Sequence, residues 1–203
     1  MPVVFYLTHP QVRMDPAVPV PDWGLSEIGR DRAVKAAAAR WTEGVSTILS
    51  STERKAIETA EIIAAERGCA VRQIAEMGEN DRSSTGYLPP AAFEVMADRF
   101  FANPDVSVEG WEPAAAARRR ITGAVDAALA TLPAGGDVLM VGHGGVGTLL
   151  MTALEGLGIS RSFDQPAGGG NVFAFDAATR RVIHRWLALE DPRAGLAATA
   201  ALR

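Results

Sequence analysis

Two of the three histidines in this 203-residue chain stand where apolar runs stop: His9 in Thr8-His9-Pro10 after Val3–Leu7, and His143 in Gly142-His143-Gly144 after Asp137–Val141. Imidazole serves at neutral pH as nucleophile, general base or general acid. One strand-end histidine is explained as well by a bond to a nearby carbonyl. Two of three in that position point to a shared site. A third feature lies at Ser50-Ser51-Thr52-Glu53-Arg54-Lys55-Ala56, where two cations enter the first turn of an expected helix. Cations at the positive end of a helix dipole are unfavourable by a few tenths of a kcal/mol, and a bound anion resolves the conflict. The plainer alternative is that Glu53 neutralises the turn and both cations splay into water.

The elements that must hold these residues follow from the pattern. Val3–Leu7 and Asp137–Val141 are continuous apolar runs of the kind found in strands buried on both faces. Ser26 can cap a helix through the Ala-rich stretch to Arg40, Val45–Leu49 reads as a strand, and a helix of about 15 residues ends near Gly68. Ala70–Ala75 is a weaker strand. From Asn80 to Gly110 the composition shifts to Ser, Thr, Gly, Pro and Phe around a short helix near Ala91–Ala102, an excursion from the core. Glu112–Leu132 and Val146–Leu157 read as helices, and Val172–Asp176 and Val182–Trp186 as a closing strand pair. The alternation predicts one domain over 1–203, a three-layer α/β/α sandwich on a mostly parallel sheet, with an Ala-rich tail from 192 that frays or packs as a last helix. Parallel strands would bring both histidines to one sheet edge, where such folds bind ligands.

Composition narrows the class. Twenty Lys and Arg against 24 Asp and Glu give a formal charge of −4 and a pI near 5.4. A general nucleic-acid binder is therefore disfavoured and any anion site must be local. Lone Cys69 and scattered histidines offer no zinc spacing, so no metal or other cofactor is expected. No run approaches the length of a membrane span, and a cytoplasmic location is the default expectation.

The motifs and their order resemble the histidine phosphatase superfamily, the phosphoglycerate mutase-like fold. The matching stretches are Val3–Pro10, Gly24-Leu25-Ser26-Glu27-Ile28-Gly29, Ser50–Ala60, Met77-Gly78-Glu79 and Val141–Gly145. The resemblance implies that His9 attacks phosphorus and carries a phosphohistidine, and that His143 contacts the transferring group. It places the phosphate-clamping helix arginine at Lys55, beside Arg54, and the general acid at Glu79, with Gly144 and Thr8 at the phosphate. The implied activity is a metal-independent phosphohydrolase acting on a phosphorylated small molecule or phosphoprotein.

The departures from that pattern are specific. Thr8-His9-Pro10 stands where the family has Arg-His-Gly, so a guanidinium is replaced by a hydroxyl and a backbone N–H is lost. Lys55 keeps charge without the planar fork, and Arg13, Arg54 and Arg82 are candidates to compensate. These changes motivate a second reading, a phosphoryl-binding or regulatory module with poor turnover. A more distant one is a dinucleotide site, because Gly142-His143-Gly144-Gly145-Val146-Gly147 fits G-x-G-x-x-G. Against it, Asp176 lies 29 residues beyond Gly147, where about 20 is expected. His184 alternates with Val182 and Trp186 and reads as a packing or surface histidine. Glu112 is a candidate site acid or a plain helix-start carboxylate, and Tyr87, Phe93, Phe100, Phe101 and Trp111 are either core or lid.

Overall fold

In a computed structural model, which describes residues 2–132 and 135–195, six strands form one sheet in the order β3-β2-β4-β1-β5-β6. The strands are β1 (Val3–Thr8), β2 (Val45–Ser50), β3 (Val71–Gln73), β4 (Asp137–Gly142), β5 (Asn171–Asp176) and β6 (Val182–Ala188). β3, β2, β4 and β1 run parallel, and β5 pairs antiparallel with both β1 and β6. Every residue of β1 and β5 is buried, the consequence of apolar side chains pointing to both faces of a covered sheet.

Two helical layers cover it. Val3, Phe5 and Leu7 point to a core closed by α1 (Glu27–Ala37) and α2 (Arg54–Arg67), and Val4 and Tyr6 to one closed by α4 (Ala114–Thr131) and α5 (Gly144–Leu154). The period-two alternation of β1 thus divides its side chains between the layers. Small residues allow close approach: Ala33, Ala36 and Ala37 of α1 and Ala56, Ala60 and Ala64 of α2 are all buried.

Local chemistry sets the element ends. Ser26 accepts a hydrogen bond from Gly29 N–H at 3.1 Å and caps α1. Gly68 ends α2 at φ 66°, where a side chain would be strained. The excursion contains α3 (Pro90–Ala102), whose buried Met96, Phe100 and Phe101 dock on the α4/α5 core. Its two ends meet: Glu112 N–H donates to Asp81 O at 2.9 Å, and Asp81 N–H to Glu112 Oε2 at 3.3 Å. The expected tail is described only as a short 3₁₀ turn at Pro192–Gly195, and residues 196–203 lie outside the described residues.

Candidate active site

Because β1 and β4 are parallel neighbours with Thr8 opposite Gly142, the residues leaving them emerge side by side. His9 N–H donates to Gly142 O at 3.1 Å, and the His9 and His143 rings meet edge to face with centroids 5.3 Å apart. His9 Nδ1 lies 2.8 Å from Pro10 O. A carbonyl only accepts, so Nδ1 carries the proton and Nε2 keeps its lone pair. Burial, reinforced by His143 and Lys55, holds the imidazole down to about 3 against the opposing pull of the Pro10 carbonyl and Glu53. The result is a neutral imidazole of fixed tautomer. The proline that costs this loop an N–H supplies the carbonyl that orients it.

His143 is fully enclosed. Its Nε2 is 2.7 Å from Ser51 Oγ and 3.2 Å from Glu53 Oε1, and its backbone N–H donates to Tyr6 Oη at 3.2 Å. Burial pushes the Tyr6 phenol up, so it stays protonated. Burial also lowers the His143 imidazole, with Glu53 and Glu79 opposing. Its Nδ1 is buried without a hydrogen-bond partner, an unmet group of the kind a ligand satisfies.

Glu53 is the hub of this cluster. Its Oε1 accepts Glu79 N–H at 2.8 Å, and its Oε2 pairs with the Lys55 ammonium, which also donates to Val20 O at 2.9 Å. Burial alone would raise the Glu53 carboxyl; His143, Lys55 and the Glu79 N–H outweigh it and bring the group to about 2. Lys55 is buried, with 4% of its side chain exposed, so its charge is already balanced within the fold.

Glu79 sits at the N-terminus of α5. Its Oε1 accepts from Val146 N–H at 3.0 Å and Asn80 N–H at 3.1 Å, and its Oε2 from Gly145 N–H at 3.1 Å. This satisfies helix N–H groups that have no partner within the helix. A Cβ on Gly145 would stand 2.8 Å from Oε1, so the carboxyl fits only against glycine. Arg120 of α4 fixes the segment, donating to the carbonyls of Glu76, Gly78 and Glu79 at 2.7, 2.9 and 3.2 Å and pairing in bidentate fashion with Glu112. Glu112 therefore acts on the chain that presents Glu79.

Other expected site residues are placed elsewhere. The Arg54 side chain is 63% exposed and pairs with Glu58 at 2.9 Å, outside the cleft. Arg13 is exposed and does not line the cleft. The Thr8 hydroxyl donates to Gln165 Oε1 at 2.7 Å and accepts from Asn171 N–H at 3.0 Å, so it is engaged within the fold. Gly144 faces Gln165: a Cβ there would be 2.1 Å from Nε2. Arg82 does line the cleft, its guanidinium 5.1 Å from the Phe93 ring centroid and 5.6 Å from that of Trp111. Among the described residues it has no carboxylate partner. His184 bonds the Arg185 carbonyl on β6.

Glu53 as the partner of His143, and Gln165 as the partner of Thr8, were not legible as site residues. For Glu53 the signal was an acid two residues before Lys55 in an otherwise cationic turn. For Gln165, inside a Gly- and Pro-rich loop, the sequence holds none. The dinucleotide reading fails on geometry. The α5 N-terminus is filled by Glu79, β5 runs antiparallel to β1 rather than continuing a parallel crossover, and Asp176 caps its own turn through Ala178 and Thr179.

His9, Glu53, Lys55 and Glu79 open into a cleft of about 820 Å³. Its walls are the loop between β1 and α1 and the excursion, bridged where the Trp23 and Tyr87 rings lie 5.5 Å apart. Phe100 and Phe101 are core, whereas Tyr87, Phe93 and the largely buried Trp111 line the cleft. Among the described residues no group of His, Cys, Asp and Glu is arranged to hold a metal ion, and no helix is long and apolar enough to cross a membrane.

This sheet order with a paired-histidine edge defines a class, and the comparisons name it. Residues 11–187 match the model of the histidine phosphatase superfamily (branch 1), and the chain belongs to that superfamily. The match begins two residues after His9. No curated protein matches. Among solved structures, mycobacterial glucosyl-3-phosphoglycerate phosphatase in complex with inorganic phosphate shares the fold at TM-score 0.74 and 23% identity, covering 94% of this chain and 100% of that one. Bacillus stearothermophilus YhfR superimposes at TM-score 0.75 and 22% identity over 91% of this chain and 95% of that one. A putative α-ribazole-5′-P phosphatase from Escherichia coli does so at 0.73 and 19%, over 93% and 97%.

Proposed function

We propose that the protein is a phosphomonoesterase working through a phosphohistidine at His9. The observation that carries this is the state of His9: neutral, with Nδ1 tied to the Pro10 carbonyl at 2.8 Å and Nε2 left with its lone pair. In the proposed reaction Nε2 attacks phosphorus as the bond to the leaving oxygen breaks, and Glu79 delivers a proton to that oxygen. Its Oε2 accepts one N–H where Oε1 accepts two, which leaves Oε2 a position to carry that proton. Water then attacks phosphorus as the P–N bond breaks and gives a proton back to Glu79, releasing phosphate and restoring the His9 lone pair. Arg82, which lines the cleft without a carboxylate partner among the described residues, is the cation available to the phosphoryl oxygens.

A second reading is favoured by charge. Lys55 is neutralised by Glu53 and Arg54 is turned away, so a dianionic group meets few unbalanced cations. Such a site would bind phosphoryl groups and turn them over poorly. One experiment separates the two: incubation with labelled phenyl phosphate, quenching in base and analysis for acid-labile phosphohistidine. The phosphatase reading expects label on wild type, none on His9→Ala, and steady release of phenol. Vanadate binding without label or phenol favours the binding module, and turnover retained in His9→Ala overturns the assignment of His9.

A further inference from the structure

The cleft is much larger than a phosphoryl group, and its walls say what else it holds. We propose that it selects phosphate monoesters of apolar, ring-bearing alcohols over those of sugars or carboxylic acids; this rests on the phosphomonoesterase reading of the same site. The space of about 820 Å³ lies at the upper end of the range of about 300–1,000 Å³ for small-molecule sites. Met14, Pro21 and Trp23 face it from one loop, and Tyr87, Phe93 and Trp111 from the excursion. The Met14 side chain is largely exposed there, at 58%, a flexible thioether suited to apolar partners.

The polar groups of the walls are few. Beyond Glu53, Lys55 and Glu79, the charged lining residues are Asp81, Arg82 and Glu94. Arg82 lies over the Phe93 and Trp111 rings. Glu94 is paired with Arg161 and largely exposed, which leaves Asp81 as the acid that opposes a carboxylate or second phosphate on the leaving group. A polyol needs several donors and acceptors to replace its hydration, and this wall supplies little beyond Asn80 and Ser83. Asn80 Nδ2 is buried and without a partner. It is one amide NH2 group, enough for an acceptor oxygen or two but not for a polyol. The walls are also rigid. Trp23 Nε1 donates to Asp15 O at 2.9 Å and Val18 O at 3.0 Å, and Trp111 Nε1 to Thr85 Oγ1 at 2.9 Å, so the aromatic faces are held in place before a ligand arrives.

The test reads binding, so it does not depend on turnover. Naphthylmethylphosphonate, 2-hydroxyethylphosphonate and 3-phosphonopropionate, none hydrolysable, are titrated calorimetrically into the full chain. The proposal expects the naphthyl compound to bind at least about tenfold more tightly than either polar one, by burial of its rings. It also expects Tyr87→Ser and the loop variant Met14→Ser to weaken the naphthyl compound several-fold more than the hydroxyethyl one. Equal affinities, preference for a polar phosphonate, or uniform weakening by both variants overturns it. Absence of phosphohistidine in the labelling experiment, with the naphthyl preference intact, overturns the phosphomonoesterase reading alone.

Discussion

Replacing Glu53 by glutamine tests the hub of the site. The wild-type carboxylate accepts from Lys55 and the Glu79 N–H and lies 3.2 Å from His143 Nε2, and its carboxyl titrates near 2 rather than at its ordinary 4.5. At about 1.36 kcal/mol per pH unit, that difference corresponds to roughly 3 kcal/mol of stability at neutral pH. The sign follows from the depressed value: the contribution is complete above about 4.5 and fades as pH falls toward 2, with about 2 kcal/mol gone by pH 3. Glu53→Gln also leaves the Lys55 ammonium buried without its counter-charge, a situation that costs about 3–5 kcal/mol. For a chain of this size about 3 kcal/mol lowers Tm by roughly 6–12 °C. Urea unfolding of wild type and variant between pH 3 and 7 is the assay, and their gap should narrow on acidification. The double replacement Glu53→Leu with Lys55→Met should be more stable than Glu53→Gln, because an apolar pair of similar volume removes both desolvated charges, with about 1–3 kcal/mol still lost at the unpaired Glu79 N–H. A gap below about 1 kcal/mol at pH 7, or one that does not change with pH, would refute the account of Glu53 as the buried counter-ion.

The His9 ring should remain neutral on acidification from pH 8 to pH 4 and titrate near 3, as read from imidazole ¹⁵N shifts. Because the folded chain binds this proton less tightly than the unfolded one, His9 takes stability away as pH falls below 6.5 toward that value, and a ring titrating near 6.5 would refute the account of its burial. Gly145→Ala should drive its Cβ against the Glu79 carboxyl, 2.8 Å away, and displace it from the α5 N-terminus. Hydrolysis of phenyl phosphate should fall by about 10- to 100-fold, since misplacing a proton donor forfeits much of its contribution, and undiminished hydrolysis would show that this placement is not needed.

The sheet edge was legible because its signals are local: apolar runs long enough to be strands, each stopped by a histidine. The closing hairpin and the glycine end of α2 were legible for the same reason. The antiparallel insertion of β5 beside β1 was not, because adjacency between strands far apart in sequence is decided by packing. Among the site residues, Arg54 and Lys55 are adjacent in sequence, yet the helix turns one toward Glu58 and solvent and the other into the protein. That choice depends on where α2 docks. Thr8 shows the same gap: a hydroxyl in place of a guanidinium was visible, but its partners Gln165 and Asn171 come from a loop and strand more than 150 residues away.

The meeting of the excursion's two ends has a consequence for how such a protein can change. Asp81 and Glu112 hold each other through backbone and side-chain bonds, so the intervening chain leaves and returns at one point of the scaffold. A segment closed at its base can be lengthened or exchanged at a cost that grows only logarithmically with its length. The histidines, Glu53 and Glu79 lie outside it. New specificities could thus be tried by exchanging this one cassette, so long as a cation is kept where Arg82 stands.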